Sequence, residues 1–387
     1  MATEKLYYEN CHLAVFTARV LECREREDGF AVILDRTAFF PGGGGQAPDT
    51  GTLGLARVTG MEEAGDAIVH LCDQALNPGE SVEGAIDWRP RFIRMQQHTG
   101  EHILSGLVHR RYGYHNTGFH MNLERIQVDF DGPIPPEAVA ELEGEVNDAL
   151  WQDLPVNCCV PSPEELERLT YRTKRALPWP VRIVEIPGFD RCACCGVHVG
   201  RTGEAGPVKI WSAMGFRGGT RLEMSCGIPA LEALNAVYAQ AREVSRLLSA
   251  PVTGIGAAAG AVYQQLGKEK YRVRQLELDA IQGKAEENRG RGDLLLFREC
   301  EDPELMIAAA DRTAAASGGA AAVFAGAGDS WRWCVVDKNR DLGPLIADLR
   351  RTLNARGGGK PGFQQGFLRG EKAGIQAFFR DRGFGEA

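Results

Sequence analysis

His98-Thr99-Gly100-Glu101-His102 sits inside Arg91 to Arg111, where a strand-like pattern gives way to helical spacing. Four residues make one turn of helix, so His98 and His102 project from one face and can close on a single ion. A second pair with the same spacing, Cys194 and His198, lies in Cys194-Cys195-Gly196-Val197-His198, a Cys/Gly-rich segment that reads as a turn. One helix and one loop thus supply a His/His/Cys/His tetrahedron, which by ligand softness and number points to Zn²⁺. Glu101 directly precedes His102, so the HExxH order of zinc proteases is absent. Cys192 and Cys195 compete with Cys194 for the thiolate position, and the four-residue spacing to His198 favours Cys194. Four protein ligands also leave a structural zinc open, because closed tetrahedral shells are the usual structural kind. His12, His70, His109, His115 and His120 lack partners at ligand spacing and read as surface or core histidines.

Upstream of the helix, Leu13-Ala14-Val15-Phe16 and Phe30-Ala31-Val32-Ile33-Leu34 are short apolar runs bounded by turn residues, so residues 1 to 90 predict a small barrel or sandwich. The second run leads into Gly42-Gly43-Gly44-Gly45-Gln46. Four glycines contribute no packing side chains, and their value lies in backbone freedom and close approach; a floppy loop is the alternative. The helix should have a core side, with Ile103, Leu104 and Leu107, and a ligand side.

Downstream, residues 135 to 151 and Glu164 to Leu169 read as helices, Arg182 to Ile186 as a strand, and Val208–Trp211 with Thr220–Met224 as a hairpin. Arg221 and Glu223 share one side of it. From residue 229 the composition shifts to two long helices, Leu231 to Leu248 and Val262 to Glu287, joined through Pro251 and Gly254-Ile255-Gly256. Leu266, Val273, Leu276 and Ala280 keep approximate heptad spacing, as in a helical arm. Beyond them strands alternate with helices in a small α/β domain, whose last helix pair brackets Arg356-Gly357-Gly358-Gly359-Lys360-Pro361.

The 387 residues are 44% hydrophobic and 25% charged, an ordinary globular balance with room for two or three domains. A net charge of −8 means that any nucleic-acid contact must come from a local patch. Arg356, Lys360, Arg369, Lys372, Arg380 and Arg382, with Phe363 and Phe367 among them, are the candidate patch. Eleven cysteines and no apolar leader predict a reducing cytoplasm, and no apolar run is long enough for a membrane span.

In order and spacing, GGGGQ-x-x-D-x-G at 42 to 51, HTGEH at 98 to 102, FDRCACCGVHVGRTGE at 189 to 204 and GGTRLE at 218 to 223 resemble the editing domain of alanyl-tRNA synthetase. They look most like the free-standing AlaX-type editing proteins in their long form. The helical arm and ARGGGKPGFQQGF at 355 to 367 resemble the synthetase's C-Ala, or DHH-associated, domain. No stretch is long enough for a class II adenylation domain, so editing rather than charging is expected.

The resemblance implies an α+β chain in four parts: a β-barrel-like domain with the glycine loop over 1–90, an α/β zinc-containing editing domain over 91–228, a helical arm over 229–290 and a C-Ala-like α/β domain over 291–387. It implies ATP-independent hydrolysis of the ester in Ser-tRNA(Ala), with Gly-tRNA(Ala) as a second candidate. His98, His102, Cys194 and His198 would hold Zn²⁺. Gln46 and Thr37 would serve catalysis, Thr37 by reading a serine hydroxyl, and Gly43, Gly44, Gly45, Arg221 and Lys360 would bind substrate. The partner is tRNA(Ala), and a homodimer through the C-terminal region is expected. Val197 departs from the pattern, since the family usually has Thr there. A non-catalytic tRNA-binding protein with structural zinc and a zinc hydrolase of small esters are the competing readings.

Overall fold

The computed structural model describes residues 2–173, 177, 179–299 and 302–387. They form two compact units, Met1–Glu243 and Val244–Ala387. Sheets and helices are mixed in an α+β architecture.

In the first unit, β1 (Val15–Arg26), β2 (Gly29–Leu34), β3 (Gly51–Leu53), β4 (Ala56–Ala64), β5 (Ala67–Cys72) and β6 (Ser81–Ile86) hydrogen-bond in a closed ring, β1-β2-β5-β4-β3-β6. All pairs are antiparallel. Alternate residues of β1, Phe16, Ala18 and Val20, turn inward onto Val32, Leu34, Leu53 and Val58. Period-two patterning thus fills the barrel and closes its edges.

Helix α1 (Trp88–Tyr112) follows and stops where Gly113 turns left-handed, φ 74°, with its N–H on the carbonyl of His109. Every residue from Met95 to Val108 is buried. Ile103, Leu104 and Leu107 face the core and His98 and His102 the ligand cluster, and the helix is covered all round. The cause is close approach, since a Cβ at Gly100 would meet Cys226 Sγ at 2.6 Å and one at Gly106 would strike the backbone of Phe189.

Around α1 lie two antiparallel sheets. One comprises β7 (Asn116–Met121), β8 (Ile126–Phe130), β12 (Val208–Phe216) and β13 (Gly219–Cys226), in the order β12-β13-β8-β7; the other comprises β9 (Asn157–Cys159), β10 (Ile183–Ile186) and β11 (Asp190–Ala193). The middle of the chain is thus α+β with antiparallel pairing, where an α/β domain was expected. Every strand pair in these two sheets is antiparallel. Helix α2 (Ala138–Trp151) buries Ala138, Leu142, Val146, Ala149 and Leu150, an amphipathic stripe against this core. The short α3 (Pro163–Arg168) begins at a Ser162/Glu165 capping box.

The barrel is locked to α1 by a buried ion pair. Arg91 of α1 binds Asp49, whose Oδ2 also accepts the Phe40 N–H at 2.8 Å. Burial lifts the Asp49 carboxyl above its usual range, and Arg91 opposes that rise. The glycine run lies between these anchors, so its position relative to α1 is fixed.

Helix α4 (Ile228–Leu248) buries only Pro229 and Ala230 among its described residues. In the second unit, α5 (Ile255–Glu287) starts earlier than expected, because Ala257-Ala258-Ala259 carry helix through Gly256 and Gly260. It buries only Ile281 and Ala285. The sheet that follows runs β17-β18-β16-β15-β14-β19, with β14 (Gly292–Arg298), β15 (Gly318–Ala327), β16 (Ser330–Val336), β17 (Arg356–Lys360), β18 (Phe363–Arg369) and β19 (Gly385–Glu386). Parallel β14 and β15 are joined through α6 (Pro303–Ser317), while α7 (Gly343–Leu353) and α8 (Lys372–Arg380) bracket the β17/β18 hairpin. Leu294 and Leu296 pack on one face and Leu295 on the other, which accounts for the unbroken apolar run. Among the described residues no helix is long and apolar enough to cross a membrane.

Candidate metal centre and its cavity

His98, His102, Cys194 and His198 converge, each offering one ligand atom, and all four atoms lie within 4.8 Å of one another. Cys194 Sγ stands 3.5 Å from His98 Nε2 and 3.5 Å from His198 Nε2. Zn–S and Zn–N bonds of about 2.3 and 2.0 Å at the tetrahedral angle separate sulfur from nitrogen by about 3.5 Å. The donor set and its spacing therefore fit Zn²⁺.

Each imidazole is oriented through its other nitrogen. His98 Nδ1 donates to Gln46 Oε1 at 3.0 Å, His102 Nδ1 to Asp190 Oδ2 at 2.9 Å and His198 Nδ1 to Thr99 Oγ1 at 3.3 Å. Thr99 donates its own proton to the Met95 carbonyl at 2.8 Å, so it must accept from His198. In all three rings Nε2 is left for a metal, the arrangement by which outer hydrogen bonds set tautomer and basicity. Asp190 also takes Arg172 Nε and Nη2 at 2.6 and 2.8 Å. Burial would raise its pKa, but these donors hold it below the ordinary carboxylate range.

Charge selects among the cysteines. Burial would lift the Cys194 thiol, yet His98 and His102 outweigh it and hold the group well down, as thiolate. Burial pushes Cys192 up to about 11 and also raises Cys195. His198 is driven down to about 3 by burial and then by His98, leaving it neutral as a ligand must be. Cys192 does lie near His102 and Asp190. That carboxylate is already engaged by His102 and Arg172.

The glycine run is an ordered turn. Gly43 and Gln46 exchange backbone hydrogen bonds of 2.9 and 3.0 Å, and φ is 60° at Gly44 and 89° at Gly45. Both central residues are left-handed, a type I′ geometry that glycine adopts without strain. A Cβ at Gly43 or Gly44 would come 3.2 Å from Cys195 Sγ, and one at Gly45 would strike the Phe119 ring. Phe119 stacks on His98 at 5.3 Å, so the turn reaches the metal ligands through one aromatic ring. Gln46 Oε1 also accepts the Val197 N–H at 3.1 Å, while its Nε2 is buried with no partner. Val197, where a Thr was expected, is buried and contributes only this N–H to the site.

The cluster opens on a cavity of about 930 Å³, lined in part by Gly44, Gly45, Glu101, Asn116, Phe119, Arg172, Arg182 and Cys192. Gly43 and Gln46 stand behind that wall. Thr37 is not brought to it: the residue is fully buried in the barrel region, with its hydroxyl 2.8 Å from His70 Nε2. A direct reading of a serine hydroxyl is not what this placement offers. Arg221 is also elsewhere, bidentate to Asp129 at 2.6 and 2.7 Å and under the Phe216 ring. Lys360 is exposed on β17 of the second unit. The sequence reading missed Asp190, Thr99 and Arg172 as orienting groups. No local spacing marks them, although every buried ligand histidine requires an acceptor for its second nitrogen.

Residues 181–222 match the threonyl and alanyl tRNA synthetase second additional domain. That match takes in Cys194 and His198, two of the four donors that could hold a metal. The alanine–tRNA ligase of Thermofilum pendens is 34% identical over 298 residues, 73% of this chain and 32% of the ligase. The alanyl-tRNA editing protein AlaX-L of Pyrococcus horikoshii is 31% identical over 244 residues, 60% of each chain. The alanyl-tRNA editing protein Aarsd1 of Danio rerio is 32% identical, with 52% of this chain and 53% of that protein covered. The chain is thus related to the alanyl-tRNA synthetase editing domains and to the AlaX-type editing proteins. It spans about a third of the Thermofilum ligase and 60% of AlaX-L.

Proposed function

We propose that this chain is a zinc-dependent deacylase that acts in trans on tRNA(Ala) mischarged with serine, and on the glycine ester as a second substrate. The observation that carries the reading is the His98/His102/Cys194/His198 cluster opening on a cavity whose wall includes the bare peptide of Gly44 and Gly45. Bound there, Zn²⁺ supplies Lewis acidity toward an ester oxygen or water. Gln46 acts from behind the cavity wall, orienting the ligand His98 through its Oε1. Gly44 and Gly45 let the terminal ribose approach backbone closely. Thr37 acts at one remove, by holding His70 within the barrel region.

Contacts to the body of the tRNA are assigned to basic groups away from the cavity. Arg221 belongs to the first unit. In the second, exposed Lys360 stands near a cross-strand row in which Phe367 pairs with Arg332 on one side and Arg356 on the other. Exposed Phe367 between two arginines suits base stacking and phosphate contact. Phe363, by contrast, packs on the core. Exposed Leu231, Val237 and Tyr238 on α4 and Leu266, Val273 and Leu276 on α5 support a homodimer, which light scattering would read as twice the chain mass.

The test supplies purified protein with Ser-tRNA(Ala) and Ala-tRNA(Ala). Selective release of serine is expected, and equal or absent hydrolysis of the two would sink the proposal. A second reading, tRNA binding around a structural zinc, draws on the four protein donors that fill a tetrahedral shell. It predicts tight tRNA binding with no ester cleavage, and no effect of Gln46→Leu.

A further inference from the structure

Glu101 is not one of the four donors of the candidate metal centre. It lies on α1 three residues after His98, within one helical turn of it, and lines the same cavity as His98 and His102. It is 4% exposed, and it is the one carboxylate among the described residues lining the cavity. Its Oε1 accepts the Ser105 hydroxyl and Asn116 Nδ2, each at 2.5 Å. Both donors are neutral. Arg172 is attracted by the Glu101 charge but gives its hydrogen bonds to Asp190, Arg182 gives its own to the carbonyls of Cys194 and Gly196 at 3.0 and 2.8 Å, and Lys5 lies beside Glu63. Among the described residues no cationic side chain hydrogen-bonds Glu101, the kind of partner a buried carboxylate favours. Beside it, Asn116 gives its amide N–H to Glu101 and keeps Oδ1 buried with no donor. A carboxylate and an orphaned carbonyl side by side lack the same thing, a small cation with several N–H donors.

We infer that Glu101, assisted by Asn116 Oδ1, binds the α-ammonium group of the aminoacyl ester. The inference rests on the reading of the cavity as an aminoacyl-tRNA site. An α-amino group titrates near about 7.7–8.0 and is largely ammonium at neutral pH. Its three N–H donors match the two unfilled acceptors and leave one for water or an ester oxygen. Glu101 is thereby a substrate-binding residue, and it selects a free amine over a blocked one.

The test uses full-length, zinc-loaded protein and two non-hydrolysable probes, 3′-serylamino-3′-deoxyadenosine and its N-acetyl derivative. Calorimetry should show wild type binding the free amine about 30-fold or more tightly than the acetylated probe. Glu101→Gln should bind both with the weaker affinity, with zinc content and melting temperature retained, and Glu101→Asp should recover part of the preference. Equal binding of the two probes by wild type overturns the inference, even if Glu101→Gln fails to fold. An equal loss on both probes in Glu101→Gln also overturns it, assigning Glu101 to the metal or to packing. Turnover on Ser-tRNA(Ala) is read separately: amine-selective binding without hydrolysis would cost the deacylase reading and leave this one standing.

Discussion

Two buried histidine settings lie in the first unit, and their difference separates structure from site. His70 is fully buried, and both its nitrogens are used by neutral neighbours: Nδ1 donates to the Val32 carbonyl at 3.2 Å and Nε2 accepts the Thr37 hydroxyl at 2.8 Å. His98, His102 and His198 are 2–3% exposed, yet only Nδ1 of each has an outward partner, and the three Nε2 atoms converge with Cys194. Burial alone therefore says little about a histidine. What decides is whether both ring nitrogens are satisfied within the protein or one is left facing other donors.

The comparison breaks most visibly at the ligands. His102→Ala should abolish zinc binding and lower deacylation of Ser-tRNA(Ala) by about 1,000-fold or more, because the Lewis acidity the metal would supply at the ester is lost with it. Metal analysis with single-turnover kinetics reads both, and full activity without zinc would remove the centre's role. His70 should respond to pH in its stead. Burial depresses its pKa to about 4, against about 6.5 for an unfolded histidine. The folded state then binds fewer protons between those values, so its stabilising contribution is complete above about pH 6.5 and is lost as pH falls toward 4. The loss amounts to about 3 kcal/mol, visible as a falling urea midpoint, and His70→Gln should flatten it.

Asp190→Asn keeps every ligand but weakens the orientation of His102. Zinc affinity should drop about 10- to 100-fold in a competition titration. An unchanged affinity would mean that Arg172 and packing suffice to hold the ring. The smallest effect belongs to Cys195→Ser. Cys195 neighbours the ligand in sequence, but its thiol lies outside the four-donor cluster, so zinc content and turnover should stay within about twofold of wild type.

What could be read from the sequence follows from the range of each interaction. The ligand pairs are local, one helical turn each, and the spacing that favoured Cys194 over Cys192 and Cys195 coincides with the geometry that makes Cys194 the thiolate. Strand alternation before residue 90 and the hairpin at 208–226 are local too. Contacts across the fold were not legible. Thr37 meets His70 and Asp190 meets His102, separations of 33 and 88 residues set by strand register and by the crossing of β11 over α1. The burial of Gln96, Gln97, Thr99 and Glu101 on α1 was not legible either, since each bonds a group brought in by another segment: Gln96 the Glu204 carbonyl, Gln97 the Asn122 carbonyl, Thr99 His198 and Glu101 Asn116. Polar residues mark a solvent face only where no partner arrives from elsewhere in the chain.

The glycine turn bears on how this cavity can be altered. Gly42 to Gly45 all carry positive φ, Phe119 crowds Gly45, and Cys195 crowds Gly43 and Gly44. No single substitution can add a side chain to that wall without strain, so it is closed to redesign and fixed in what it presents. Any change in what the cavity admits has to come from the side chains that remain free to vary, such as Val160, Leu177 and Val181, which line the same cavity.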